Sequence, residues 1–246
     1  MTGLARLALM SSAVLLVSGV AAAQSKQYPL ESVNGLRLHN VSAEPATLQG
    51  KKGLRLTLSE ETMQRVQRMT PEQRTAADLN WLAVIEGLDF SSGVIEVELA
   101  GAPAPGAGEG ARGFVGIAFR LQADNRTYDA FYLRPTNGRA EDQQRRNHSA
   151  QYISHPEWPW FRLRKETPEK YESYVDLVPG QWTKIKIEVR GDRARLHVNG
   201  AAQPTLIVND LKSGANARGA VALWLDPGTV AHFRNLTVER FAATPQ

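Results

Sequence analysis

The chain has 246 residues, 42% of them hydrophobic and 22% charged. That is the balance of an ordinary soluble domain, and the length suits one large β-domain behind a leader. Its 29 basic and 25 acidic residues leave a net charge of only +4, too little to point to nucleic acid as a partner. There is no cysteine, so no disulfide framework staples the fold and its stability must come from a buried core.

Met1 to Ala23 reads as a signal peptide, with Arg6 as the basic end, Leu7 to Val20 as the apolar stretch and Ala21-Ala22-Ala23 as the small-residue cleavage site. The apolar run is shorter than the roughly 20 residues of a membrane-spanning helix. Cleavage after Ala23 leaves 24–246, expected to be one secreted or periplasmic domain with no membrane insertion. Losing Arg6 brings the net charge to +3. An alanine- and arginine-rich exported chain without cysteine fits a bacterial source.

Beyond the leader, Val33 to Val41 and Lys52 to Leu58 are the opening strands expected. Residues 59–78 then break the β pattern as a small helical insertion: Met63, Val66 and Met69 recur at helical spacing behind a Ser59 cap. Thr70-Pro71-Glu72-Gln73 carries the signature of a second helix start. Leu79 to Ile85 and Val94 to Leu99 follow as strands, and the Gly/Ala/Pro-rich Ala100 to Arg112 as a loop.

In Phe114 to Leu121, Val115, Ile117, Phe119 and Leu121 form one apolar row, opposite Phe114, Gly116, Ala118 and Arg120. Tyr128 to Arg134 repeats the arrangement, with Tyr128, Ala130, Tyr132 and Arg134 opposite Phe131 and Leu133. So does Gly219 to Asp226, with Ala220, Ala222 and Trp224 facing away from Val221, Leu223 and Leu225. If the three strands share a sheet, their outer rows make a groove with a low floor and polar or aromatic walls. Residues 135–174 are expected as a long, mostly irregular loop over that face. Gln181 to Gly200 is the clearest hairpin: Ile185, Ile187 and Val189 alternate with charges, the chain turns at Gly191-Asp192, and Leu196 and Val198 alternate in return.

The order of these elements resembles the concanavalin A-like lectin/glucanase superfamily, including laminin G-like domains and the 3-keto-disaccharide hydrolases. The stretches that carry it are GLDFSSGVIEVEL (87–99), GFVGIAFR (113–120), YDAFYLRPTNG (128–138), PGQWTKIKIEVRGDRARLHVNG (179–200) and GAVALWLDPGTVAHFRNLTV (219–238). The resemblance implies an all-β, two-sheet antiparallel jelly-roll sandwich whose concave face binds carbohydrate, so a glycan is the partner expected. Three readings stay open: a secreted carbohydrate-binding sandwich, a glycoside hydrolase of the 3-keto-disaccharide type, and a laminin G-like adhesion module. The E-x-D-x-x-E motif that sets two glucanase carboxylates on one strand face is absent from the sequence.

For sugar binding the candidates are Arg120, Tyr132, Arg134, Trp158, Trp160 and Trp224, since flat rings suit the C–H face of a pyranose and guanidinium forks suit its oxygens. Trp158 and Trp160, pinned by Pro156 and Pro159, read equally well as loop anchors. The arginines of the 135–174 segment read first as surface ion pairs with Glu141, Asp142, Glu166 and Glu172. Catalysis, if present, would draw on Glu172 or Asp226 as acid and His155 as base. Calcium is common in the resembled fold, but no Asp/Asn-rich ligand loop is visible, and no metal or other cofactor is expected.

Overall fold

The computed structural model describes residues 24–70, 73, 77 and 79–241. The expected leader lies outside these residues, as does most of the second helix expected after Thr70. Among the described residues fifteen strands occur in chain order: β1 (Gln24–Tyr28), β2 (Leu36–His39), β3 (Val41–Leu48), β4 (Lys51–Leu58), β5 (Leu82–Ile85), β6 (Gly93–Pro103), β7 (Val115–Leu121), β8 (Tyr128–Leu133), β9 (Ala150–His155), β10 (Glu172–Ser173), β11 (Thr183–Arg190), β12 (Arg193–Val198), β13 (Leu206–Val208), β14 (Ala220–Leu225) and β15 (Thr229–Arg240). Helices with bounds among the described residues are α1 (Glu60–Gln67), α2 (Gln143–Asn147) and α3 (Trp160–Glu166).

The strands form two antiparallel sheets. The first runs β13-β12-β11-β6-β15-β4-β3, with β1 also paired to β15; the second runs β10-β9-β8-β7-β14-β5-β2. The alternating rows meet between them: Ile185, Ile187, Leu196, Ile95 and Val97 from the first sheet, and Ile117, Phe131 and Leu223 from the second, are all buried. Each such side chain contributes roughly 1.5–3 kcal/mol of burial energy. An aromatic row runs through this core, Phe90 to Phe119 (6.2 Å), Phe119 to Phe131 (6.1 Å), Phe131 to Tyr152 (5.4 Å) and Tyr152 to Tyr171 (5.6 Å).

The expected sandwich and the Gln181 to Gly200 hairpin, β11 against β12, are present. The alternation closing the chain, Gly219 to Leu225 and His232 to Val238 about the turn Asp226 to Gly228, reads as a second hairpin but is not one. Strand β14 pairs with β5 and β7 in the second sheet, β15 with β1, β4 and β6 in the first, so the turn carries the chain from one sheet to the other. There are three further departures. The single strand expected at Val33 to Val41 is cut at Asn40, whose φ of 60° lies in the left-handed region that asparagine tolerates better than most residues. The cut sends β2 to the second sheet and β3 to the first. The polar segment after the leader is β1, which completes the first sheet against β15.

The third departure is the 135–174 segment, which is not a mostly irregular loop. It supplies β9, paired along its whole length with β8, together with α2, α3 and β10. Gln151, Ser154 and His155 interrupt the apolar pattern that would have marked β9 as a strand. The helical insertion begins as expected: the Ser59 side chain accepts from the Thr62 N–H at 3.2 Å. Thr70 and Gln73 exchange capping bonds of 2.9 and 3.3 Å.

Candidate functional site

On the outer face of the second sheet the register places one residue of each strand in line: His39, Leu82, Trp224, Gly116, Tyr132, Gln151 and Glu172. A Cβ at Gly116 would collide with the Phe131 carbonyl and the Tyr132 backbone. Glycine there lets the flanking Tyr132 and Trp224 rings stack above it, with centroids 4.7 Å apart. The Trp224 Nε1–H donates to the Tyr128 hydroxyl at 3.1 Å, which in turn donates to Asn80 Oδ1 at 2.7 Å.

The alanine floor expected from the sequence is covered. Ala118, Ala130 and Ala222 are fully buried, and the surface above them is aromatic. The opening lies towards the next row, where Asp226, Phe114 and Arg134 each stand one residue beyond the paired Leu225, Val115 and Leu133. Around it is a cleft of about 480 Å³ whose lining includes Trp81, Arg112, Phe114, Tyr132, Arg134, Arg145, His148, His155, Trp160, Arg164, Trp224 and Asp226.

Arg134 organises one wall. Its Nη1 donates to the His148 carbonyl at 2.9 Å and to Glu172 Oε1 at 3.2 Å; its Nη2 donates to the Tyr132 hydroxyl and to Gln151 Oε1, both at 2.9 Å. Arg164, from α3, donates to both oxygens of Glu172, through Nε at 3.0 Å and through Nη2. His148 Nδ1 lies 2.9 Å from Glu172 Oε2, off the line of a hydrogen bond.

Burial alone would raise the Glu172 pKa. The hydrogen bonds from Arg164 and the charges of Arg134, Arg164 and His148 outweigh it and hold the carboxyl below its ordinary range. Two guanidinium groups on one carboxylate leave this wall with a net positive charge.

Asp226 is the contrasting carboxyl. It is half-buried, and no described side chain is hydrogen-bonded to it. Burial pushes its pKa up to about 7, a rise that the Arg134 charge only partly opposes. A carboxyl poised near neutrality is suited to taking and returning a proton. At the mouth, Trp160 (43% exposed) and Phe161 (55% exposed) meet edge to face at 5.8 Å, and Arg164 Cζ lies 4.7 Å from the Trp160 ring centroid. Among the described residues, no three His, Asp or Glu side chains converge in a way that would hold a metal ion.

The family described as the 3-keto-alpha-glucoside-1,2-lyase-like domain matches residues 58–239. The chain belongs to this family. No curated protein matches it. Solved structures share the lyase-like chain's fold at low identity. The carbohydrate-binding module CBM66 from Bacillus subtilis is 10% identical, with 82% of this chain and 97% of that one covered at a TM-score of 0.50. A protein of unknown function with a galectin-like fold, also from Bacillus subtilis, is 11% identical, with 91% and 100% covered at 0.50. A Crh5 transglycosylase in complex with NAG is 14% identical, with 91% and 86% covered at 0.51.

Within the lyase-like domain, Tyr132, Arg134, Trp160, Trp224, Asp226 and His155 all line the one cleft. His155 is held there by stacking on Tyr128 at 5.1 Å. Glu172 lies behind the wall as the partner of Arg134 and Arg164. Trp158 is outside the cleft: its ring is approached by Arg162 Cζ at 3.9 Å and Lys212 Nζ at 4.9 Å.

Arg120 corrects the alternation. Phe119 and Arg120 together stand opposite Val221, in a bulge where the β7–β14 register shifts, and Arg120 has a φ of 57°. That turn carries its side chain off the cleft face into the sandwich, where Arg120 is 1% exposed and 3.8 Å from Asp129. Its five N–H groups donate to the carbonyls of Ser91 (twice), Gly191 and Gly214 and to Ser213 Oγ.

Sequence reasoning did not single out Arg112, Gln151 or Trp81. Arg112 follows a glycine-rich run with no periodicity to place it, Trp81 stands just before β5, and Gln151 is a polar residue within β9, paired with Tyr132 on one side and Glu172 on the other.

Proposed function

We propose that this cleft binds a glycoside and, on a unit oxidised at C3, eliminates across C1–C2. Asp226 acts as the base. The C3 carbonyl acidifies the C2–H, and the Asp226 carboxylate takes that proton. The C1=C2 double bond forms as the bond from C1 to the glycosidic oxygen breaks. The same carboxyl, now protonated, returns the proton to the leaving oxygen, so atoms and charge balance. The positively charged Arg134–Glu172–Arg164 wall lowers the energy of the enolate oxygen that develops at C3. Trp160 and Phe161 offer an apolar rim for the sugar ring. The leader-like Met1 to Ala23 extends the proposal to a protein that works outside the cytoplasm.

The observation that carries this reading is Asp226: a carboxyl free of side-chain hydrogen bonds, poised at about 7, in an aromatic cleft lined by arginines. Membership of the lyase-like family supports the reaction class. The exposed Trp160–Phe161 pair also suits a second reading, recognition of a glycan without turnover.

The test uses methyl 3-keto-α-D-glucoside, with near-ultraviolet absorbance following the conjugated product and tryptophan fluorescence following binding. The lyase reading expects product from the wild type, and binding without product from Asp226→Asn. Binding without product from both proteins selects the second reading, and neither signal from the wild type refutes both.

A further inference from the structure

The charge of the cleft does not balance, and the imbalance lies at one end. Arg112, Arg134, Arg145 and Arg164 all line it, while Asp226 is the one carboxylate among the described lining residues. Glu172 answers Arg134 and Arg164 from behind the wall. Nothing comparable answers the other two. Arg112 Nη1 donates to the main-chain carbonyls of Glu109 and Ala111, which engage that one nitrogen without cancelling the charge.

Arg145 projects from α2, and its guanidinium has no hydrogen bond or ion pair among the described residues; its Nε is buried without a partner. The two groups also feel each other. Burial lowers the Arg112 pKa, and the charges of Arg145 and Arg134 lower it further, with Glu109 alone opposing them.

A buried guanidinium hydrogen without an acceptor is costly, and two neighbouring guanidinium groups repel. A bound oxyanion removes both penalties, because its oxygens match the guanidinium fork. We infer that this end of the cleft, between Arg145 and Arg112, holds an oxyanion carried by the sugar, either a uronate carboxylate or a sulfate ester. The inference names a substrate class for the same cleft and rests on the glycan reading above.

The test is calorimetric titration of the whole protein with methyl glucuronide, methyl glucoside 6-sulfate, methyl glucoside and sodium sulfate. At least one acidic glycoside is expected to bind about tenfold more tightly than the neutral one, and which one does so distinguishes carboxylate from sulfate ester. Added salt is expected to shrink that preference, and Arg145→Gln or Arg112→Gln to bring the ratio of affinities towards one.

Equal affinity for acidic and neutral glycosides, or a preference untouched by both substitutions, overturns the inference and leaves the glycan reading standing. Sulfate bound as tightly as either acidic glycoside, with the neutral one not bound, supports an anion site and counts against the sugar. No binding of any probe overturns the inference, and the elimination assay then decides the glycan reading separately.

Discussion

Arg120 and Arg134 end neighbouring strands of one sheet, follow similar rows of small and aromatic residues, and are both buried, yet they do different work. Arg120 gives four of its five hydrogen bonds to main-chain carbonyls of the segments around Ser91, Gly191 and Gly214. It is a rivet between turns, with every donor used inside the protein. Arg134 gives three of its four hydrogen bonds to side chains, those of Tyr132, Gln151 and Glu172, and the group it forms borders an opening with Asp226. Burial and ion pairing alone therefore do not mark a functional arginine. The distinction is whether the partners are side chains facing a space that a ligand can enter.

The sharpest way to break this contrast is at the carboxyl of the open cluster. Asp226→Asn is expected to cut elimination by about 10²- to 10⁴-fold, read from the rate of product absorbance. The same substitution should raise thermal stability at neutral and alkaline pH, by about 2–4 °C for each kcal/mol recovered. The folded pKa of about 7 lies above the ordinary 3.8. Ionising this carboxyl therefore costs the fold stability as pH climbs from 3.8 to 7, and asparagine removes that cost.

Next in size is the closed cluster. Arg120→Met leaves Asp129 buried without its cation, and denaturant unfolding should show a loss of roughly 3–5 kcal/mol. The affinity of the folded variant for glycoside should match the wild type; a loss of affinity at preserved stability would return Arg120 to the site.

Glu172→Gln sharpens the contrast from the other side, since it leaves the Arg134 and Arg164 charges uncompensated. A loss of roughly 2–3 kcal/mol is expected at neutral pH. Because the folded Glu172 pKa is depressed below 4.5, its contribution is present above that value and fades as pH falls through the lower folded one. Wild type and variant should therefore converge in acid, a trend visible in paired melts. The smallest effect belongs to the rim. Trp160→Ala should weaken glycoside binding by about 1 kcal/mol while changing stability by less than about 0.5 kcal/mol.

Much of this is legible in the sequence. Alternation in Tyr128 to Arg134 and in Gly219 to Asp226 assigns Tyr132, Arg134 and Trp224 to one face, because a strand's period of two survives whatever it packs against. The same rule failed at Arg120, where one extra residue in β7 reverses the faces; a bulge leaves no mark on hydrophobic spacing. It failed again at β9, whose outward Gln151 and His155 serve the cleft and therefore do not look like strand residues. The pairing of Glu172 with Arg134 spans 38 residues of sequence, and local pattern carries no information about such a contact. Arg112 and Arg145, in a loop and a one-turn helix, had no period to place them.

The central claim is that Asp226 is the working group of an open cleft, and the pH dependence of elimination tests it most directly. With methyl 3-keto-α-D-glucoside as substrate, the wild-type rate should rise with pH through a midpoint near 7 and level off above it, and this titrating activity should vanish in Asp226→Asn. A profile flat across that range, or one that Asp226→Asn leaves in place, would contradict the account.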